Sequence, residues 1–246
     1  MVQFDIITLF PSMFESPLSE GIISKAQKKG LIDIRVHDLR EYTEDRHRTA
    51  DDTPYGGGAG MVMKVEPIVR AIEAIRLPTG NTRTVFLTPQ GALLKQEKAK
   101  KLSTYSQVLI LCGRYEGIDE RVLSFIDEEI SIGDFVLTGG EIAAMAVLDV
   151  VARLVPGVVG DAASVSEDTF SSLLLKYPQY TKPDNFRGLC VPAVLLSGDH
   201  KRISEWRSLE SLKRTLKRRP DLLERADLTD KEKKQLENIK ESERLE

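Results

Sequence analysis

The sequence predicts an α/β fold built on a mostly parallel β-sheet, followed by a smaller C-terminal helical region. In the first 155 residues, short apolar segments alternate with segments of helical periodicity. This order is typical of a parallel sheet with helices on both faces. Beyond residue 170 the chain becomes more charged and helical. Spacing alone therefore predicts an open, doubly wound sheet, in which ligands bind beyond the carboxyl ends of the strands.

The predicted elements alternate in chain order. Strand-like segments occupy residues 2–8, 31–37, 83–88, 107–112 and 128–132. Helical segments occupy residues 18–29, 65–76, 95–102, 119–126 and 141–154. Gly30 ends the first helix, and Pro67 stands in the first turn of the second, where proline is tolerated. Pro89-Gln90-Gly91 is predicted to end the third strand.

A change of composition over residues 154–170 predicts a boundary. This stretch contains Pro156 and many small residues, and it has no helical period. We therefore expect one domain over residues 1–160, an interdomain linker over 161–170 and a C-terminal helical domain over 171–246. A basic helix is predicted from about His200 to Lys217, and an acidic helical tail follows it.

The composition excludes several classes of protein. A chain of 246 residues with 41% hydrophobic content can bury a substantial core. Its longest apolar runs fall short of the roughly 18 residues needed to cross a membrane. The first ten residues carry Asp5 and no basic residue, so they do not resemble a secretory signal. Two cysteines make a disulfide scaffold unfavourable. We expect a cytoplasmic protein with no membrane partner.

The charge is unevenly distributed. The net charge is −3, yet residues 201–219 hold eight bases and two acids, a local charge of +6. A polyanionic partner would therefore meet a basic patch. The alternative is an ordinary solvated helix face.

Three turn-rich loops follow predicted strands, at residues 88–91, 112–117 and 132–140. Loops at equivalent strand ends would line one pocket with backbone donors and acceptors, a lining that suits adenine and ribose better than a triphosphate. Any one loop alone is equally an ordinary turn. The glycine-rich loop, residues 54–61, lacks both the Walker and the G-x-G-x-x-G patterns. It is either a flexible surface loop or a place where the backbone closely approaches a binding partner.

The chain resembles the bacterial tRNA (guanine-N1)-methyltransferases of the SPOUT superfamily over about its whole length. The motifs that carry the resemblance include LTPQG (87–91), LCGRYEGIDER (111–121), SIGDFVLTGGE (131–141), RLVPGVVG (153–160) and SEDTF (166–170). The resemblance implies a SPOUT-type parallel sheet with a deep trefoil knot, a rare exception to the rule that chains are unknotted.

The resemblance also implies methylation of guanine N1 in tRNA, immediately 3′ of the anticodon, by S-adenosylmethionine. Its implied cofactor-binding residues are Leu87, Gly113, Ile132, Gly133, Asp134, Phe135, Val136, Leu137 and Gly140. A dependence on Mg²⁺ is implied as well, although the sequence offers no dedicated metal site.

The implied catalytic residues are Asp168, as the base that removes the N1 proton, and Arg153, as the cation that stabilises charge on guanine O6. From the sequence alone, Asp168 is also a candidate helix N-cap, and Arg153 a candidate residue at a helix C-terminus. The implied partners are tRNA and a second subunit, in a homodimer with a composite active site. Substrate contacts are expected from Tyr115, Glu116, Lys213, Arg214 and Arg218.

Two other functions stay open at this point. In a non-catalytic RNA-binding protein, the basic helix would bind RNA and the glycine-rich loops would have only a structural role. A nucleotide-dependent oxidoreductase is weakened by the missing dinucleotide-binding pattern.

Overall fold

A computed structural model describes residues 1–78, 80–160, 169–170 and 173–244. The chain divides into two compact units, Met1–Ala162 and Ala163–Glu246. In the described residues, no helix is both long and apolar enough to cross a membrane.

A parallel five-stranded sheet forms the centre of the first unit, as the sequence predicts. The strands of this unit are β1 (Val2–Thr8), β2 (Ile32–Asp38), β3 (Asp51–Asp52), β4 (Val62–Met63), β5 (Thr82–Leu93), β6 (Gln107–Cys112) and β7 (Glu128–Ser131). The order in the main sheet is β2-β1-β6-β5-β7, and every neighbouring pair is parallel. The short strands β3 and β4 pair with each other in an antiparallel ribbon. The trefoil knot stays a prediction.

Helices cover both faces of this sheet. They are α1 (Glu15–Ser19), α2 (Gly21–Lys28), α3 (Val65–Ile75), α4 (Gln96–Leu102) and α5 (Gly140–Ala152), together with 3₁₀ turns at Pro11–Phe14, Leu39–Tyr42 and Glu120–Phe125. In β6, Val108 and Ile110 belong to the core that includes α2, α4 and α5. Leu109 and Leu111 belong to the opposite core, which includes α3. Residues on a strand alternate between faces, so β6 is buried on both sides.

Three local predictions were wrong. The helix predicted over residues 18–29 is two helices, because Glu20 is extended and Gly21 has a positive φ of 66°. The helix predicted over residues 119–126 is a 3₁₀ turn. Strand β5 continues beyond Pro89-Gln90-Gly91, because its pairing with β7 skips from Leu87 to Ala92 and then resumes. Proline is compatible with a strand at such a bulge.

One buried carboxylate lies within the sheet. The side chain of Asp5 is only 1% exposed, and its Oδ1 lies 2.8 Å from His37 Nε2. Gln107 and Gln3 donate to Oδ2 at 2.6 and 2.7 Å. Burial raises the pKa of Asp5, but these hydrogen bonds outweigh that effect, so its pKa lies below the ordinary value.

The second unit is mainly helical. It contains the hairpin β8 (Asn185–Phe186) and β9 (Leu189–Cys190), followed by α6 (Ala193–Leu196), α7 (His200–Arg218), α8 (Pro220–Leu223) and α9 (Asp230–Arg244). Asp199 caps α7 by accepting hydrogen bonds from the backbone of Lys201 and Arg202, both at 3.1 Å. Among the described residues of this unit, the buried apolar side chains are Leu212, Leu222, Leu236 and Ile239.

Candidate active site

A cavity of about 450 Å³ opens at the carboxyl ends of β6 and β7, beside the bulge in β5. Its walls are the β5 bulge, the loop after β6 and the loop between β7 and α5. Of the predicted cofactor residues, the cavity is lined by Leu87, Gly113, Ile132, Gly133, Phe135, Val136, Leu137 and Gly140. Asp134 is exposed and lies outside this lining. The three turn-rich loops therefore meet at one place, as their positions after strands predict.

The loops approach so closely because glycine stands at their contacts. The Gly140 N–H donates to the Gly113 carbonyl at 2.9 Å. A Cβ atom on Gly140 would lie 2.8 Å from Cys112 Cα, and one on Gly113 would lie 2.9 Å from the Phe86 ring. Any other residue at Gly140 would push the backbone of two loops apart, so glycine is required there for packing.

The loop after β6 carries two predicted substrate residues, Tyr115 and Glu116, and both line the cavity. Tyr115 has a φ of 59°, a left-handed conformation that is uncommon for a bulky residue and costs about 1–3 kcal/mol. The residue is 48% exposed. The Glu116 N–H donates to the Met61 carbonyl at 3.1 Å. The glycine-rich loop, residues 54–61, therefore runs beside the mouth of the cavity.

A buried ion pair holds two of the cavity walls together. Glu141, in the first turn of α5, is fully buried, and its Oε2 lies 2.9 Å from Arg114 Nε. Thr8 Oγ1 donates to the other carboxylate oxygen at 2.8 Å. The Arg114 guanidinium also donates to the Thr138 carbonyl at 3.0 Å and lies 4.4 Å from the centre of the Phe10 ring. Arg114 thus joins the loop after β6 to the start of α5.

Sequence reasoning missed Arg114 and Glu141 as site residues. The available signal was a charged side chain inside each of two glycine-rich motifs, CGRYEG and LTGGE. Charged side chains are seldom fully buried unless they are paired, but nothing in the sequence showed that these two pair with each other.

The charge around the cavity is negative. Three carboxylates line it, from Glu116, Glu120 and Glu129. Among the described residues, the only base in the lining is Arg114, and it pairs with Glu141. Such a lining attracts a cationic ligand and repels a pyrophosphate. It therefore disfavours a nicotinamide or flavin dinucleotide.

The structure describes one of the two predicted catalytic residues, Arg153, and it does not line this cavity. Asp168 lies outside the described residues. Arg153 follows the last residue of α5, and its backbone N–H donates to the Asp149 carbonyl at 3.2 Å. Because α5 is 13 residues long and Gly140 begins it, about 20 Å of helix separates Arg153 from the cavity of its own chain. Arg153 therefore lies at a helix C-terminus, which is the alternative to a catalytic role that the sequence left open for it.

The predicted RNA-contacting bases lie on α7 in the second unit. Lys213 and Arg218 are exposed, and Arg214 is half-buried. Lys213 Nζ lies 3.4 Å from Glu210 Oε1, a surface contact of little energetic weight. Lys217 and Arg218, in the last turn of α7, also interact favourably with the helix dipole.

The described residues contain no group of three or more His, Cys, Asp or Glu side chains that could hold a metal ion. We therefore assign no residues to the implied Mg²⁺.

Comparison with known proteins identifies the family. The model of the family tRNA (guanine-1)-methyltransferase TrmD matches residues 2–225. A tRNA (guanine-N(1)-)-methyltransferase of Carboxydothermus hydrogenoformans is 58% identical over 233 residues, covering 94% of this chain and 91% of the relative. The protein of the same name from Dictyoglomus turgidum is 52% identical over 240 residues, covering 98% and 97%. A third, from Chloroflexus aurantiacus, is 58% identical over 227 residues, covering 92% and 89%. The chain therefore belongs to the tRNA (guanine-1)-methyltransferase family.

Proposed function

We propose that this chain methylates N1 of the guanine immediately 3′ of the anticodon in tRNA, with S-adenosylmethionine as methyl donor. The observation that carries the proposal is the cavity between the β5 bulge and the ends of β6 and β7, which is lined by eight of the nine predicted cofactor residues in a member of this family.

The lining of the cavity suits this cofactor. A volume of about 450 Å³ falls within the usual range for small-molecule sites, roughly 300–1,000 Å³. Leu87, Ile132 and Leu137 offer apolar surface for an adenine ring, and the neighbouring loops offer backbone donors and acceptors. The carboxylates of Glu116 and Glu129 favour a cation. When bound, S-adenosylmethionine supplies an electrophilic methyl group on a positively charged sulfur.

Residues of the chain must remove the proton from guanine N1, because the cofactor supplies only the methyl group. We assign its removal from N1 to Asp168, a role worth about 10²- to 10⁴-fold in rate. Arg153 stabilises the negative charge that develops on O6, by about 2–4 kcal/mol. The separation of Arg153 from the cavity of its own chain supports a site that is completed by a second subunit, as in the composite homodimer.

The remaining assignments concern substrate binding. Residues 1–160 form the catalytic domain, 161–170 the linker and 171–246 the tRNA-binding domain, in a cytoplasmic protein. Tyr115 and Glu116 contact the target guanine at the mouth of the cavity. Lys213, Arg214 and Arg218 contact phosphates, so tRNA affinity should fall steeply as salt concentration rises.

The direct test is base-resolved mass spectrometry of unmodified tRNA incubated with the protein and labelled S-adenosylmethionine. We expect the label on guanine N1 next to the anticodon. Label on a ribose 2′-hydroxyl or on the protein would contradict the proposal. The absence of any calorimetric signal with S-adenosylhomocysteine would instead favour a non-catalytic RNA-binding protein.

A matched pair of variants tests the role of the base. Asp168→Asn should keep S-adenosylhomocysteine affinity while turnover falls at least about 100-fold. Asp227→Asn removes an exposed carboxylate from the same unit and should leave both unchanged. Equal losses of binding and turnover in Asp168→Asn would make Asp168 a structural residue.

A further inference from the structure

The second unit contains a cavity of its own, of about 290 Å³. One wall is the irregular segment of residues 177–184, and the other is formed by residues around α6 and the first half of α7. Apolar side chains from Val191, Leu195 and Ile203 line its interior. Nothing in the proposed methyl-transfer chemistry uses this cavity.

Aromatic rings and a guanidinium surround the opening. Arg207 Cζ lies 4.8 Å from the centre of the Tyr177 ring, and both residues line the cavity. Tyr180 also lines it and is 48% exposed, with its ring centre 6.4 Å from that of Trp206. Exposed tyrosine rings and stacked arginine planes are the surfaces on which proteins stack unpaired bases.

The charges at this cavity suit a nucleotide. Lys182 and Arg207 are exposed cations in the lining, against a single carboxylate from Asp184. The two acids nearby on the chain are engaged elsewhere: Asp199 caps α7, and Glu205 pairs with Lys231 at 2.9 Å. The two cations can hold backbone phosphates, while the Asp184 carboxylate can accept hydrogen bonds from base amino or imino groups.

The irregular wall is anchored rather than free. Two residues before the segment, the Leu175 N–H donates to Oγ1 of the buried Thr215 on α7 at 2.8 Å. At its end, the Asp184 carbonyl accepts a hydrogen bond from the Val191 N–H at 2.8 Å. The tyrosines therefore stand on a preorganised wall, which reduces the entropy lost when a ligand binds.

We propose that this cavity binds one unpaired base of the tRNA substrate, stacked against Tyr180 and the Arg207–Tyr177 pair, with Lys182 and Arg207 on the flanking phosphates. The inference rests on the proposed function, since it takes the RNA to be tRNA. An apolar peptide is a poorer occupant, because it would leave two cations at the rim without partners.

The first test measures the affinity of the full-length protein, saturated with S-adenosylhomocysteine, for a fluorescent tRNA transcript. Tyr180→Ala should weaken binding by about 5- to 150-fold, the range for loss of one stacked base. Tyr180→Phe keeps the ring and should bind like wild type. Lys234→Ala removes an exposed charge from the same unit, outside the cavity, and should cost less than the loss of stacking.

The second test identifies the base. A series of tRNA transcripts carries single abasic substitutions at unpaired positions. One of these substitutions should weaken binding to the wild-type protein by the same factor as Tyr180→Ala weakens binding of the intact transcript. That substitution should cause no further loss in Tyr180→Ala, because the stacked contact is already gone. If Tyr180→Ala does not show a cooperative unfolding transition, Arg207→Gln is used instead in the same comparison of intact and abasic transcripts.

The outcomes separate this proposal from the proposed function. Equal abasic effects in wild type and variant overturn the base-binding cavity, even if guanine N1 is methylated. Coupling at one position supports the cavity, even if methylation is found at another atom. Free nucleoside monophosphates that compete as strongly as tRNA would make the cavity a small-molecule site and overturn the proposal.

Discussion

Removing the Arg114 guanidinium tests whether the buried ion pair organises the active-site loops. In Arg114→Met, the Glu141 carboxylate stays in a site where its side chain is 1% exposed. Breaking such a pair costs roughly 3–5 kcal/mol. Thr8 and the first turn of α5 still stabilise the carboxylate, so we expect a loss of about 2–4 kcal/mol. At about 2–4 °C per kcal/mol, the unfolding temperature should fall by roughly 4–16 °C.

The double variant makes the test specific. Arg114→Met with Glu141→Gln contains no unpaired buried charge, and the glutamine can still accept the Thr8 hydrogen bond. We expect it to be at least 1 kcal/mol more stable than the sum of the two single effects predicts. Thermal unfolding followed by circular dichroism measures all four proteins. Single effects that add within about 0.5 kcal/mol would refute the coupling.

Two further measurements show whether the effect belongs to this pair. Arg35→Met with Asp33→Asn removes a pair that is 2.7 Å apart but partly exposed, with side chains 55% and 33% exposed, and it should show coupling below about 1 kcal/mol. S-adenosylhomocysteine affinity should be weaker than in wild type both in Arg114→Met and in the Arg114→Met/Glu141→Gln protein, because no guanidinium then contacts the Thr138 carbonyl. Full recovery of affinity there would mean that Arg114 acts only on stability.

Three other predictions follow from single contacts. Gly140→Ala should lose S-adenosylhomocysteine binding and about 1–3 kcal/mol of stability, because its methyl group would meet backbone, whereas Gly160→Ala, with open space around it, should leave calorimetric binding unchanged. Asp5 has a folded-state pKa below its ordinary value, so its contribution to stability is complete well above pH 3.9 and is lost as the pH falls through the folded-state pKa. Urea unfolding of Asp5→Asn should therefore lack part of the acid-induced loss seen in wild type, and parallel profiles would contradict this. Burial raises the pKa of the Cys112 thiol well above its ordinary value, while Cys190 is exposed, so a thiol reagent should label one cysteine in the native protein and two in denaturant.

The central strand of the main sheet, β6, could be predicted because its side chains are apolar on both faces. The run Gln107–Cys112 is buried at every position, and only a central parallel strand explains such a run in a chain that alternates with helices. The three turn-rich loops could be placed together because each follows a predicted strand, and parallel strands end at one edge of the sheet.

Other features depend on contacts between distant residues. Pro89 and Gly91 signal a stop, yet β5 resumes because Ala92 and Leu93 find partners on β7. Arg114 and Glu141 are 27 positions apart, and neither motif indicates which charge it meets. Tyr177 and Arg207 come together only because the irregular segment is tied to α7, which no periodicity reveals.

The bulge in β5 has a consequence for engineering. Both ends of the 88–91 excursion are secured by pairing with the same neighbouring strand, before and after the gap. A residue added inside the excursion changes the contour of one cavity wall without moving the register of any strand. Variants designed to accept a donor bulkier than a methyl group should therefore begin there, since the opposite walls are locked by glycine packing and an internal ion pair.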